Sequence, residues 1–337
     1  MESKIKEFFS NFCKTEAVEI VNLPQSGSSR KNYIGSCNDK KYIITDNDNL
    51  RENEVFFYFS EVFSELRLNT PKIFSVDPTR QIYIQEFLGS QTLSEVISSD
   101  KNDDRIKRLA KKTLKDLFEL QQKTASKIDY TKTFDYEAYD ELAITHDLYY
   151  FKNFLIDILE MPYHKSKLLK EFQSIVLQIH VLSPKGLMIR DFQSRNIMVD
   201  DNNNISFIDY QGAMFGPLMY DVVSFLYQAK ANFSDDFKSE MINYYLSLWQ
   251  KEKDIESLQA SIKPIIMMRY LQVLGAYGFR GLIQRKKHFM QSLEQGIKNI
   301  TALASTWEGL RQYPELLMLI QQLNTDETKR KIAQLLQ

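Results

Sequence analysis

Two spacings of apolar residues alternate along this chain. Near the start, Ile5, Phe8, Phe9 and Phe12 recur at helical spacing and predict a packing helix over residues 2–13. The period then shortens. Residues 18–23, 32–36, 41–46, 73–76 and 82–89 read as strands, separated by turns at Pro24–Lys31 and around Asp77-Pro78. An aromatic stretch, Val55–Leu68, carries Phe56, Phe57, Phe59 and Phe63 and predicts a buried helix against that sheet. From Thr92 the helical period takes over. Thr92 has Glu95 three residues later, a capping pair, and residues 103–123 place Ile106, Leu109, Leu114, Leu117 and Phe118 on one face. Residues 168–182 and 234–308 read as further helices. One late interruption stands out: Ile197-Met-Val and Ile205-Ser-Phe-Ile are two short apolar strands joined by Asp200-Asp-Asn-Asn-Asn204, a predicted hairpin.

This pattern predicts an α+β fold with two lobes. A small β-sheet lobe covers residues 1–87 and a large, mainly helical lobe covers 88–337, with Gln85–Gly89 as the hinge. The length of 337 residues suits two packed lobes. Hydrophobic residues at 43% and charged residues at 26% place the chain among globular proteins. A net charge of −1 argues against a nucleic-acid or membrane-surface partner. No stretch is long and apolar enough to span a bilayer, and the N-terminus lacks a signal-peptide core. Cys13 and Cys37 make no metal or disulfide framework and suit a reducing cytoplasm. The four histidines show no ligand spacing.

Candidate chemistry centres on the hairpin. Asp191 and Asn196 precede its first strand, five residues apart, and Asp209 closes its second, 18 residues after Asp191. Folding back brings Asn196 close to Asp209. Phosphoryl transfer needs this set: one carboxylate beside an alcohol as base, with an amide oxygen and a second carboxylate to hold Mg2+.

The order Ile189-Arg-Asp191, four residues, Asn196, then Asp209-Tyr-Gln resembles the catalytic and metal-binding motifs of protein kinases. The flanks Asp191-Phe-Gln-Ser-Arg-Asn196-Ile-Met and Ile208-Asp-Tyr-Gln-Gly-Ala-Met-Phe-Gly-Pro217 resemble aminoglycoside phosphotransferase-like small-molecule kinases. Within that superfamily they are similar to the cell-wall-recycling kinases of N-acetylmuramate and N-acetylglucosamine. The resemblance implies a protein-kinase-like fold and ATP and Mg2+ as cofactors. It also implies transfer of the γ-phosphoryl group to an amino sugar, at its anomeric hydroxyl. Asp191 would be the base, and Asn196 and Asp209 the metal ligands. Arg195, four after Asp191, either meets the transferring phosphate or braces the loop. Ser26, Gly27, Ser28 and Ser29 would lie by the phosphates, and Glu86 and Leu88 would offer backbone groups to the adenine.

The chain departs from the kinase pattern at two places. The strand lysine that holds phosphates is replaced by Ile44 or Thr45, so Glu54, the expected helix glutamate, lacks its partner. Arg30, Lys31 or Lys41 can supply the cation, with Arg30 favoured because it sits on the loop. Ile189 stands where the motif has histidine. Two further stretches stay open: tyrosine-rich residues 135–160, as acceptor pocket or packing, and basic residues 269–289, as a carboxylate receptor or a solvated helix end. Other acceptors, choline or an aminoglycoside, and a nucleotide-binding pseudokinase scaffold are the alternative readings.

Overall fold

The computed structural model describes residues 2–24, 30–100 and 103–335. The chain forms two compact units, Met1–Glu137 with Ile189–Met214, and Ala138–Met188 with Phe215–Gln337. Residues 91–92 pair with the hairpin, and the helices that follow pack on it.

In the first unit, α1 (Glu2–Cys13) precedes five antiparallel strands, β1 (Glu19–Asn22), β2 (Lys31–Cys37), β3 (Lys40–Asp46), β4 (Ile73–Val76) and β5 (Ile82–Glu86). Their order in the sheet is β1-β2-β3-β5-β4. One face meets α1: Ile5 and Phe9 are buried against Tyr33, Ile44, Ile82 and Ile84. The register leaves Gly35 under this helix, where an added Cβ would come within 2.6 Å of the Phe9 ring, so only glycine lets α1 sit so close. Cys13 ends α1 and Cys37 ends β2. Their Cα atoms lie 6.3 Å apart and they form a disulfide. This corrects the expectation of two unpaired cysteines, and with it the inference of a reducing compartment drawn from them. Spacing could not reveal the pair, because the helix-on-sheet packing is what brings the two ends together.

The sheet's other helix, α2 (Leu50–Glu65), starts at Asn49, whose side chain accepts from the Glu52 N–H. Next come β6 (Gln91–Thr92), α3 (Leu93–Ser99), capped by the expected Thr92–Glu95 box, and α4 (Asp103–Lys123). β8 (Ile197–Val199) and β9 (Ile205–Phe207) form the predicted hairpin, and β6 adds to its edge. Asp200 ties the turn by accepting from the N–H groups of Asn202 and Asn204 at 2.9 and 2.6 Å. From α4, Lys112 reaches the Asn203 carbonyl (3.1 Å) and Arg105 the Asn203 side chain (3.0 Å), so the hairpin is pinned from outside.

The second unit is mainly helical: α5 (Glu141–Phe151), α6 (Lys165–His180), α7 (Met219–Leu226), α8 (Asp235–Ser247), α9 (Glu252–Tyr277), α10 (Lys287–Thr306), α11 (Pro314–Leu323) and α12 (Asp326–Leu335). Two short strands not foreseen from sequence, β7 (Lys185–Met188) and β10 (Met214–Pro217), pair with each other. Both α5 and α9 end in π-helical turns, Lys152–Ile156 and Gly278–Ile283. Among the described residues no helix is long and apolar enough to cross a membrane.

Candidate active site

The site grows from the hairpin's two ends. Antiparallel pairing sets Ile197 opposite Phe207, and the Ile208 N–H donates to the Asn196 carbonyl at 3.0 Å. Asn196 and Asp209 are thereby held side by side. The Asn196 Nδ2 donates both to the Asp191 carbonyl (2.9 Å) and to Asp209 Oδ2 (3.3 Å). One buried amide thus fixes the loop that carries Asp191 against the end of the hairpin. The backbone turns sharply on both sides: Arg190 has φ 72° and Asp209 φ 63°, a left-handed region that costs a non-glycine residue about 1 kcal/mol or more. Such conformations persist only where surrounding bonds impose them, and here they aim two carboxylates.

Asp191 is partly exposed, and Arg195 donates to its Oδ2 at 2.5 Å. The pair follows from the single turn between them. Ile189, in place of the motif histidine, has a buried apolar side chain, and its carbonyl accepts from the Asp191 N–H at 2.9 Å.

Asp209 sits among donors. Arg30 donates to its Oδ1, and the Gln211 Nε2 to the same oxygen at 3.0 Å. Burial pushes this carboxyl upward. The Arg30 charge, hydrogen bonds from Gln211 and Arg30, and the Arg195 charge together outweigh it and hold Asp209 below its ordinary value. For Arg30, burial lowers the pKa, while the charges of Asp209 and Glu52 raise it to a net upward shift. Glu52 completes the cluster, 3.6 Å from Arg30 Nε and 3.3 Å from Gln211 Nε2. Its other oxygen accepts from Asn47 Nδ2 at 3.0 Å, which fixes its orientation.

The expected helix glutamate is therefore corrected. Glu54 points away to Arg80, which donates to it at 2.7 Å, and Glu52 faces the site. Glu52 and Gln211 are the residues sequence reading missed. Where the strand lysine would stand, Ile44 is buried against α1 and Thr45 is buried in a neutral network, donating to Asn32 (2.8 Å) and accepting from Gln85 (3.1 Å). Beside it the buried Tyr83 hydroxyl is pushed up to about 12, by burial first, with the Arg30 charge opposing. Among the candidate cations, Lys41 lies over the Phe87 ring at 5.8 Å, while Arg30 meets the carboxylates.

Under the cluster, Tyr210 is fully buried. Its ring stacks on Phe56 at 5.0 Å, and its hydroxyl is 2.6 Å from Ser60 Oγ. Glu86 ends β5 with its N–H given to the Lys72 carbonyl (2.9 Å), and Leu88 follows two residues later, ahead of Gly89 at φ 112°. Ser26, Gly27, Ser28 and Ser29 lie outside the described residues.

The donor set suits Mg2+. That ion takes one or two protein oxygen ligands and completes its shell with phosphates and water. Asp209 offers a carboxylate, and Asn196, whose nitrogen is spent on the two bonds above, keeps its amide oxygen for a cation. No cluster of three acidic, histidine or cysteine ligands occurs among the described residues.

Comparison with known proteins gives a consistent answer. An N-acetylmuramate/N-acetylglucosamine kinase from Pseudomonas aeruginosa is 20% identical over 94% of this chain and 95% of its own length. A protein of the same description from Neisseria meningitidis is 22% identical over 55% of this chain, a match spanning about half (53%) of that relative. Choline kinase LicA from Streptococcus pneumoniae superposes with a TM-score of 0.61 at 17% identity, covering 90% of this chain and 99% of the other. A thermostable mutant of aminoglycoside phosphotransferase APH(4)-Ia gives 0.60 at 14%, covering 90% and 100%. These structures establish the kinase-like α+β fold expected from sequence. Residues 21–257 match the phosphotransferase enzyme family. The chain belongs to that family and is a small-molecule kinase.

Proposed function

We propose that this enzyme transfers the γ-phosphoryl group of ATP to the anomeric hydroxyl of an amino sugar of the N-acetylmuramate or N-acetylglucosamine type. The observation that carries the chemistry is the Asn196 amide, which binds the Asp191 loop and the Asp209 carboxylate at once. The acceptor rests on the Pseudomonas aeruginosa kinase, whose likeness runs over nearly the whole chain.

In this reading residues 1–87 carry the nucleotide and residues 88–337 the catalytic loop and acceptor. Asp191 accepts the proton of the sugar hydroxyl as its oxygen bonds to the γ-phosphorus and the bond to ADP breaks. Arg195 holds the Oδ2 of Asp191 and so orients its carboxylate. Asn196 and Asp209 hold Mg2+, which when bound neutralises charge on the phosphate oxygens. Arg30, at the end of the small-residue loop, takes the phosphate role of the missing strand lysine. The planar guanidinium suits it to that exchange between carboxylate and phosphate. Ser26, Gly27, Ser28 and Ser29 supply backbone N–H groups to the phosphates. The Glu86 carbonyl and the Leu88 N–H contact the adenine. The ATP it uses makes the cytoplasm the proposed compartment.

Replacing Asp191 with Asn tests the assignment. Sugar-dependent release of ADP is expected to fall by about 100-fold or more, the usual contribution of a positioned base. Activity near wild type would remove Asp191 from that role. Mg2+-dependent nucleotide binding by the wild-type enzyme, with no turnover across a panel of amino sugars, would identify a scaffold instead.

A further inference from the structure

The Gln211 amide has one atom that the site as described does not use. Its Nε2 donates to Asp209 Oδ1 at 3.0 Å and to Glu52 Oε1 at 3.3 Å. Its Oε1 is buried and meets no hydrogen-bond donor among the described residues. Turning the amide over gives no relief, because its oxygen would then face two carboxylates. The backbone is also held. Tyr210, the residue before, is fastened to α2 by the Phe56 ring at 5.0 Å and by Ser60 Oγ at 2.6 Å. All of these residues belong to the first compact unit.

A buried acceptor without a donor is unfavourable, and bulk solvent does not reach this one. What completes it has to arrive with a ligand. In this cluster two carboxylates, Asp209 and Glu52, share one guanidinium, Arg30, and the surplus of negative charge favours a cation. Phosphate groups bring acceptor oxygens and leave Gln211 Oε1 unsatisfied. Mg2+ differs. It sheds water reluctantly and takes one or two protein oxygens, here those of Asp209 and Asn196, so its remaining shell still carries hydrogen-bond donors.

We propose that Gln211 is a positioning residue for the divalent cation: its Nε2 fixes Asp209, and its Oε1 accepts a hydrogen bond from water in the cation's shell. The inference rests on the assignment of Asp209 and Asn196 to Mg2+ and adds a residue behind them. Groups that orient a metal ligand act on metal affinity, so the contribution of Gln211 falls on how far the cation tightens nucleotide binding.

The test needs no turnover. Calorimetry gives the Kd of a non-hydrolysable ATP analogue in EDTA and in saturating Mg2+, and the ratio of the two is the tightening due to the cation. Gln211→Met is expected to cut that ratio by about 10- to 100-fold, the usual loss when a group behind a metal ligand is removed, while the Kd in EDTA changes less. Gln211→Glu loses the Nε2 bonds but keeps an oxygen in place, and it is expected to hold the ratio at the wild-type value or above. An amide that only braced the cluster would make Gln211→Glu as damaging as Gln211→Met, and that result overturns the proposal, as does an unchanged ratio in Gln211→Met. Urea unfolding checks that each variant is folded; should Gln211→Met not fold, the Gln211→Glu ratio decides, and a fall there overturns the proposal. Asp209→Asn separates the two levels of the argument. A ratio unchanged in Asp209→Asn, or no tightening in wild type, would overturn the Mg2+ assignment itself, whereas a ratio lost in Asp209→Asn and kept in Gln211→Met overturns this inference alone.

Discussion

Replacing Arg30 with Met removes the one guanidinium that joins Asp209 and Glu52. Gln211 Nε2 would remain between the two carboxylates, at 3.0 and 3.3 Å, as a neutral donor facing two charges. Breaking one side of a fully buried pair costs about 3–5 kcal/mol. Arg30 is 15% exposed and Asp209 31%, so solvent screens part of that term, and a loss of about 2 kcal/mol is expected. The pH dependence follows from the sign of the shift. Asp209 is held below its ordinary value of 3.8 in the folded protein, so its contribution is complete above that pH and fades as pH falls through the folded value.

Urea unfolding followed by far-UV circular dichroism, at neutral pH and again well below pH 3.8, measures both parts. The gap between wild type and Arg30→Met should be near ~2 kcal/mol at neutral pH and should narrow in acid. Equal stability at neutral pH, or a gap that keeps its size in acid, would refute the account of Arg30 as the partner of Asp209.

Two further outcomes concern the scaffold. The Cys13–Cys37 disulfide closes a loop with a sequence separation of 24. Reduction, or Cys13→Ala, is expected to lower stability by about 3 kcal/mol from loop entropy, seen as a lower urea midpoint, and an unchanged midpoint would mean the link is not formed. Gly278→Ala forces a methyl group onto the Phe154 carbonyl and is expected to destabilise by about 3 kcal/mol or more, whereas Gly212→Ala, with nothing within 4 Å of the new atom, should melt like wild type. Matching melting curves for the two variants would show that the helix crossing yields easily.

Much of the scaffold was legible because it depends on neighbours in sequence. The stripe of Ile5, Phe8, Phe9 and Phe12, the Thr92–Glu95 box and the Asp200–Asn204 turn are each fixed by residues within a few positions. The paired placement of Asn196 and Asp209 was also readable, since a hairpin with so short a turn has little freedom of register. What escaped depends on distant packing. β7 and β10 are each four residues long and exist only because they find one another. The disulfide needs α1 to lie on the sheet in one orientation. Glu54 was chosen over Glu52 by analogy of position, but residues two apart on a helix point about 200° away from each other. Only the cap at Asn49 decides which of them faces inward.

That phase also explains how α2 is held in place without a strand lysine. In the kinase pattern a cation on β3 pairs with the helix glutamate, so the sheet locates the helix. Here Thr45 is neutral and satisfied within the sheet. The link runs instead through residues at and after the hairpin. Tyr210 fastens to α2 through Phe56, Phe63 and Ser60, while one residue to either side Asp209 and Gln211 reach Arg30 and Glu52. Helix α2, Arg30 and the hairpin's end are thereby tied by three consecutive residues, Asp209-Tyr210-Gln211. A displacement of α2 must carry the Tyr210 ring with it and so disturb Asp209 directly.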